Sequence, residues 1–144
     1  MDNLIDHPVL QFYIESNHFG SLLGMNFEVN GPGNINYTME VEERHLATPR
    51  AAHGGAVCTL MDATMGVCAL SKVVEFNKVV STIEMKISFI SPAMKGDVLS
   101  GNAEVIKAGH RLLFLEGKIE NQKGELIAMA SGTFNAYPAE KAGF

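Results

Sequence analysis

From Val79 to Ile90 apolar and polar side chains alternate, with Val79, Ile83, Met85, Ile87 and Phe89 on one face and Thr82, Glu84, Lys86 and Ser88 on the other. A period of two is the spacing of a half-buried strand in an antiparallel sheet. Ser91-Pro92 ends this strand. The next is expected over Val98–Lys107, with Leu99, Ala103 and Val105 inward, before Ala108-Gly109-His110 turns the chain. Arg111–Ile119 and Leu126–Phe134 read as the last two strands, joined through Asn121-Gln122-Lys123-Gly124. Two more strands are expected between Met25 and Glu42, around the turn Asn30-Gly31-Pro32-Gly33-Asn34. Ahead of them, Asp6-His7-Pro8 reads as the start of a short N-terminal helix, about 7–18, because proline is tolerated in a first helical turn. Gly20 and Gly24 then break the pattern.

The segment Ala51–Lys72 is different. It is predominantly apolar with many small residues, among them Gly54, Gly55, Ala56, Ala63, Gly66 and Ala69, and it predicts a long helix. Between Ala51 and Ser71 the one formally ionised side chain is Asp62. A carboxylate at the centre of a membrane span costs about 2.5–3.5 kcal/mol, and the strand-rich remainder needs something to wrap around. The segment is therefore read as a buried helix. Each glycine weakens a helix by up to about 1 kcal/mol relative to alanine, so its surroundings must hold it. With no repeat, linker or low-complexity stretch, residues 1–144 are expected to form a single α+β domain, an antiparallel sheet against one main helix.

Composition narrows the function without assigning it. The 144 residues are 47% hydrophobic and 19% charged, a balance that sets the chain apart from disordered sequences. The net charge of −5 and the absence of a Lys/Arg block argue against a nucleic-acid partner. Cys58 and Cys68 lie in one apolar stretch without a pairing or ligand motif, which fits a reducing compartment and plain packing. The first residues lack a basic segment followed by a long apolar one, so a cytoplasmic protein is expected, without a bound metal.

Two features carry candidate chemistry. Asp62 stands among Val57, Cys58, Leu60, Met61, Met65, Val67 and Cys68. A carboxylate there either satisfies a nearby backbone group or histidine, or is kept for a task. At the start of the same helix, His53-Gly54-Gly55 leaves the first N–H groups unobstructed by a Cβ, at the positive end of the helix dipole. Such groups suit an oxyanion or a polarised carbonyl, although two glycines also simply permit a tight turn. His53 and Asp62 are nine residues apart, which is about 13 Å along a helix and on its opposite side. One helix cannot bring its own Asp62 to its own Gly54. If both act on one substrate, the second group comes from another copy of the chain across a two-fold axis.

His53-Gly54-Gly55, then Asp62, then Ser91-Pro92-Ala93 closing a strand that begins near Ser81-Thr82, resembles the hotdog-fold acyl-CoA thioesterases of the phenylacetate-degradation (PaaI-like) type, in the 4-hydroxybenzoyl-CoA thioesterase superfamily. The resemblance runs over roughly residues 20–136. It implies a hotdog fold, a sheet wrapped around the central helix, with homodimers or homotetramers, an acyl-CoA substrate and no cofactor. It also implies roles. Asp62 would be the nucleophile or general base towards the thioester, and the Gly54 N–H would polarise its carbonyl. His53 would orient the thioester or the glycine loop, Thr82 would help position the attacking water, and Gly55 would border the substrate.

The chain departs from the family pattern at two positions. Relatives of this type carry Asn or Gln six residues before the motif histidine and Gly three before it, where this chain has Ala47 and Arg50. His45, Thr48 and Arg50 are the candidates to replace the amide, and Arg50 is also a candidate for an acyl carboxylate or a CoA phosphate. Further phosphate-binding candidates are Lys86, Lys107, His110 and Arg111, whose bland alternative is a solvated face. Ala47 motivates a second reading, a protein that binds acyl-CoA without hydrolysing it. Hydration of an enoyl thioester uses the same fold, but its usual Asp and His spaced about five apart are not found. The acyl group is open, because a tunnel lined by Met and Phe suits aryl, short and medium chains alike.

Overall fold

The computed structural model describes residues 3–144; the first helical break falls at Asn17, and Gly20, expected to end the pattern, lies inside a second short helix. Pro8 opens helix α1 (Pro8–Ser16), with the His7 ring accepting the Val9 N–H at 3.2 Å, and a short helix α2 (His18–Leu22) follows. Strands β1 (Asn26–Gly31) and β2 (Asn34–Glu40) form a hairpin. At its turn Gly33 takes φ +75°, the left-handed geometry that a glycine after proline supplies without strain. Helix α3 (Gly54–Val73) is followed by β3 (Lys78–Phe89), β4 (Val98–Ala108), β5 (Leu112–Glu120) and β6 (Leu126–Pro138). All six strands join one sheet in the order β1-β2-β4-β5-β6-β3, with antiparallel neighbours throughout.

Two boundaries differ from the sequence reading for identifiable reasons. Helix α3 starts at Gly54 rather than Ala51, because Ala51 and Ala52 are held in bridges to Met94 and Leu46. Strand β6 runs past Phe134 to Pro138, because its last residues still pair with Lys78–Ser81. Helix α3 is long and apolar enough to cross a membrane, yet 67% of its apolar window is buried inside the fold.

What lets the helix sit there lies mainly in the sheet. The concave face carries glycines on three adjacent strands, Gly101 on β4, Gly117 on β5 and Gly132 on β6, all buried. A Cβ on Gly117 would stand 2.8 Å from Met61 Sδ and 3.0 Å from Met65 Cγ, and one on Gly101 would run into the Thr64 hydroxyl. Met61, Thr64 and Met65 are each fully buried. By contrast, a Cβ on the helix's own Gly66 would make an ordinary 3.6 Å contact with Phe134. The close approach of helix and sheet thus rests more on the strand glycines than on the small residues of the helix.

The alternation along β3 is broken once. Pairing passes from Thr82 opposite Phe134 to Glu84 opposite Thr133, which leaves Ile83 as an extra residue in a β-bulge. Cross-strand partners share a face. Thr82, opposite the buried Phe134, therefore lies on the helix side with Met85, Ile87 and Phe89, while Glu84 faces outward and accepts a hydrogen bond from Thr133 at 2.7 Å. This corrects the expectation that Thr82 shares the polar face with Glu84. Ile83 is exposed, and Val79 is buried in a satellite cluster with Val9, Leu10, Leu70 and Val74.

Gly101→Ala should cost about 1–3 kcal/mol, as overpacking does when the neighbour cannot yield. Thr64 is pinned, since its hydroxyl donates to the Leu60 carbonyl at 2.6 Å. Urea unfolding should show the loss, and Thr64→Ala in the same chain should recover part of it.

Candidate active site

Helix α3 is entered through a loop built on His45, which is 2% exposed. Its Nδ1 accepts the Glu42 N–H at 2.9 Å, so the ring proton sits on Nε2 and donates to the Leu23 carbonyl at 2.9 Å. The His45 carbonyl in turn accepts the His53 N–H at 2.7 Å, and Ala52 N–H donates to Ala93 at 2.8 Å. These bonds fix the backbone that delivers His53 to the N-cap. With both ring nitrogens occupied, His45 has no capacity left to stand in for the family's amide side chain. Thr48 is committed too, its hydroxyl accepting from Ala51 N–H at 2.9 Å and Arg50 N–H at 3.3 Å. Ala47 is exposed on this loop.

The helix start is selectively capped. His53 Nδ1 accepts the Gly55 N–H at 2.7 Å, and the His53 carbonyl accepts the Ala56 N–H at 2.9 Å. Among the described residues the Gly54 N–H has no partner. Of the two motif glycines, then, Gly54 offers a free donor and Gly55 does not. Gly55 is instead needed for space, since a Cβ there would come within 2.8 Å of His53 Nδ1. The Phe89 ring borders Gly54, 3.4 Å from where its Cβ would be.

Asp62 lies in the middle of α3 and is half-buried, more open than its apolar neighbours in sequence suggest. The Thr82 hydroxyl donates to its Oδ1 at 2.6 Å, a short charge-assisted bond. Asp62 and Thr82 open onto a cavity of about 320 Å³ whose walls include Val67, Leu70, Val80 and Phe134. Ala63 and Gly66, small residues beside the carboxylate, leave it room. Neither His53 nor Gly54 lines this cavity. The two halves of the motif are separate within one chain, as helical geometry requires.

Tyr13, which the sequence did not single out, reaches this cavity from α1. Burial first, then the neighbouring Tyr37 phenol and the Asp62 carboxylate, push its hydroxyl well above the ordinary tyrosine range. It remains a protonated donor. Its one signal in the sequence is position, one helical turn after Val9 on the apolar side of α1. Cys58, one turn before Asp62, is likewise raised by burial and then by that carboxylate, and burial pushes the Cys68 thiol up to about 11.

The cationic candidates divide. His110 and Arg111 meet at the β4–β5 turn in a cleft of about 460 Å³, joined there by Lys78 and Lys141. Lys78 Nζ donates to the His110 carbonyl at 3.3 Å, and Arg111 Nε donates to Asn135 Oδ1 at 3.0 Å. Tyr137 lines both this cleft and the Asp62 cavity. Lys86, opposite Ser131, is on the outer face of the sheet away from Asp62, and Lys107 is exposed near the end of β4. Arg50 is exposed on the loop before the Gly54 end of α3. Among the described residues no group of three His, Cys, Asp or Glu side chains could hold a metal ion.

With this geometry in hand, comparison with known proteins is direct. The profile of the thioesterase superfamily matches residues 51–128, which contain both α3 and β3. Human acyl-coenzyme A thioesterase 13 is 30% identical over 127 residues, 87% of this chain and 89% of the relative. The solved structure of the PaaI protein from the phenylacetic acid degradation operon of E. coli superposes with a TM-score of 0.81 at 22% identity, covering 88% of this chain and 89% of that one. That of smu.793 from Streptococcus mutans, bound to acetyl CoA, has a TM-score of 0.72 at 22% identity and covers 79% and 89%. The sheet wrapped around one helix is the hotdog fold expected from the resemblance.

His53→Ala removes the acceptor that caps Gly55 and should lower stability by about 0.5–2 kcal/mol. His53→Asn, which restores an acceptor at the cap, should regain most of it. The urea midpoints of the two variants measure the difference.

Proposed function

This chain belongs to the thioesterase superfamily, and we propose that it hydrolyses acyl-CoA thioesters at a site shared between two copies of itself. The observation that carries the reading is Asp62 held by Thr82 at the mouth of an apolar cavity, on a helix whose first N–H is free. Thr82 occupies Oδ1 and so directs the other carboxylate oxygen towards the reaction. That oxygen attacks the thioester carbonyl carbon, or takes the proton of the water that does. On the first route the C–S bond breaks to leave an acyl–Asp62 anhydride, which water then hydrolyses to the free acid and the restored carboxylate. On the second, water's oxygen bonds to the carbonyl carbon directly as the C–S bond breaks. On both, CoA leaves as its thiol after gaining a proton. The Gly54 N–H, at the positive end of α3, stabilises the negative charge that builds on the carbonyl oxygen. His53 holds the loop so that this donor stays exposed.

The second copy has a natural place. Strand β3 is an edge of the sheet, twelve residues long, with exposed Ile83 and Phe89, and an edge of this kind invites pairing. Antiparallel pairing of β3 with itself, centred at Met85–Lys86, sets Thr82 opposite Phe89 of the second copy. Thr82 marks Asp62, and Phe89 marks Gly54. This register therefore brings the carboxylate of one chain to the glycine N–H of the other, twice per dimer. The cleft of Lys78, His110, Arg111 and Lys141 supplies cations suited to the phosphates of CoA in a protein that is acidic overall.

Ala47 favours the second reading, capture of acyl-CoA without turnover. Both ring nitrogens of His45 are taken and the Thr48 oxygen already accepts twice, so the groups best placed to order water are the Thr82 hydroxyl beside Asp62 and the exposed Arg50 at the Gly54 end. Thiol release from a panel of acyl-CoAs separates the two: binding by calorimetry without thiol release supports capture.

Asp62→Asn should lower kcat by about 100-fold or more while sedimentation still reports a dimer. Wild-type rates in that variant would rule out the mechanism. Arg111→Glu should raise KM for acyl-CoA by about tenfold and leave KM for the corresponding acyl-N-acetylcysteamine thioester, which lacks phosphates, where it was.

A further inference from the structure

The Asp62 cavity adjoins a second one. This neighbour, about 430 Å³, is lined by residues that include Val9, Lys78 and Pro138. Each is adjacent along its own element to a residue lining the Asp62 cavity: Tyr13 is one helical turn from Val9, Val79 follows Lys78, and Tyr137 precedes Pro138. The two spaces thus draw on the same elements, α1 and the ends of β3 and β6. Phe144 lines both. Its ring packs edge-on against Phe12, with centroids 5.1 Å apart and planes at 62°, and its N–H donates to the Ala139 carbonyl at 3.3 Å. Phe144 is the wall that the two spaces share, and another aromatic holds its ring.

We propose that Phe144 sets the length of the acyl group that the site accepts, an inference that rests on the acyl-CoA reading above. At about 30 Å³ per water-sized group, the cavity on the Asp62 side holds roughly ten non-hydrogen atoms. No Lys or Arg lines it, so an anionic acyl terminus finds no counter-charge there. The substrate class is a neutral acyl group of up to about ten carbons, a medium straight chain or a phenyl-bearing acid. Removing the partition more than doubles the space, since the cavity behind it is the larger of the two.

The test is a straight-chain acyl-CoA series from C4 to C16, read as the ratio of kcat/KM for C14 to that for C8. Phe144→Ala should raise this ratio about tenfold or more, and Phe144→Trp, which adds volume at the same place, should lower kcat/KM for C8 relative to C4. A ratio unchanged in both variants overturns the proposal while hydrolysis stands. If Phe144→Ala fails to fold, Phe144→Leu and the Trp variant decide the matter in opposite directions. Absence of turnover by the wild type on the whole series overturns hydrolysis instead. The partition is then read from calorimetric Kd values over the same chain lengths, which should show the same break near C10 and its shift in the variants.

Discussion

Everything in this fold depends on how closely one apolar helix can approach the sheet that encloses it. Gly101, Gly117 and Gly132 remove the side chains that would otherwise hold α3 away, and Thr64, Met61 and Met65 occupy the space. A glycine in a strand forfeits packing and costs conformational entropy, so three on neighbouring strands make sense where another element presses in. The depth of that seat decides how far Asp62 stands from β3. With the helix further out, the 2.6 Å bond to Thr82 could not form.

The site itself follows from two local irregularities, a cap and a bulge. At the helix start, the His53 ring takes the Gly55 N–H and leaves that of Gly54 without a partner among the described residues, so a side chain selects which donor stays open. Across the helix, the extra residue Ile83 turns β3 by one position and brings Thr82 to the carboxylate. Each costs the fold some regularity and yields a polar group aimed at one place. The cavity behind Asp62, by contrast, draws much of its wall from ordinary apolar packing of α1, β3 and β6.

Much of this was legible in the sequence, and the exceptions share a cause. Period-two alternation and turn residues located the strands within a few residues, and the isolated carboxylate and the Gly-Gly pair located the two halves of the site. The bulge was hidden because Ile83 is itself apolar: Ile83, Met85 and Ile87 continue an apparent alternation whose phase has already changed. Tyr13 and Phe144 were invisible for a different reason. They reach the cavity from segments far from α3 in sequence, and an aromatic residue on an apolar helix face looks the same whether it fills a core or walls a binding space. His45 beside the motif read as a candidate functional group, and only its two ring hydrogen bonds show that it is spent on backbone.

The bulged strand carries a consequence for how such a protein can diversify. The helix-side face of β3 holds the carboxylate's hydroxyl partner, and the same strand offers the backbone through which a second copy would attach. On the proposed pairing, chemistry and assembly would share the same twelve residues, and neither could drift without disturbing the other. The far wall of the cavity is under no such double obligation. Tyr13 belongs to α1 and Phe144 to the segment after β6, and both lie outside the sheet. A lineage built on this plan could try new ligands by altering its peripheral segments while Asp62, Thr82 and the strand beside them stay as they are.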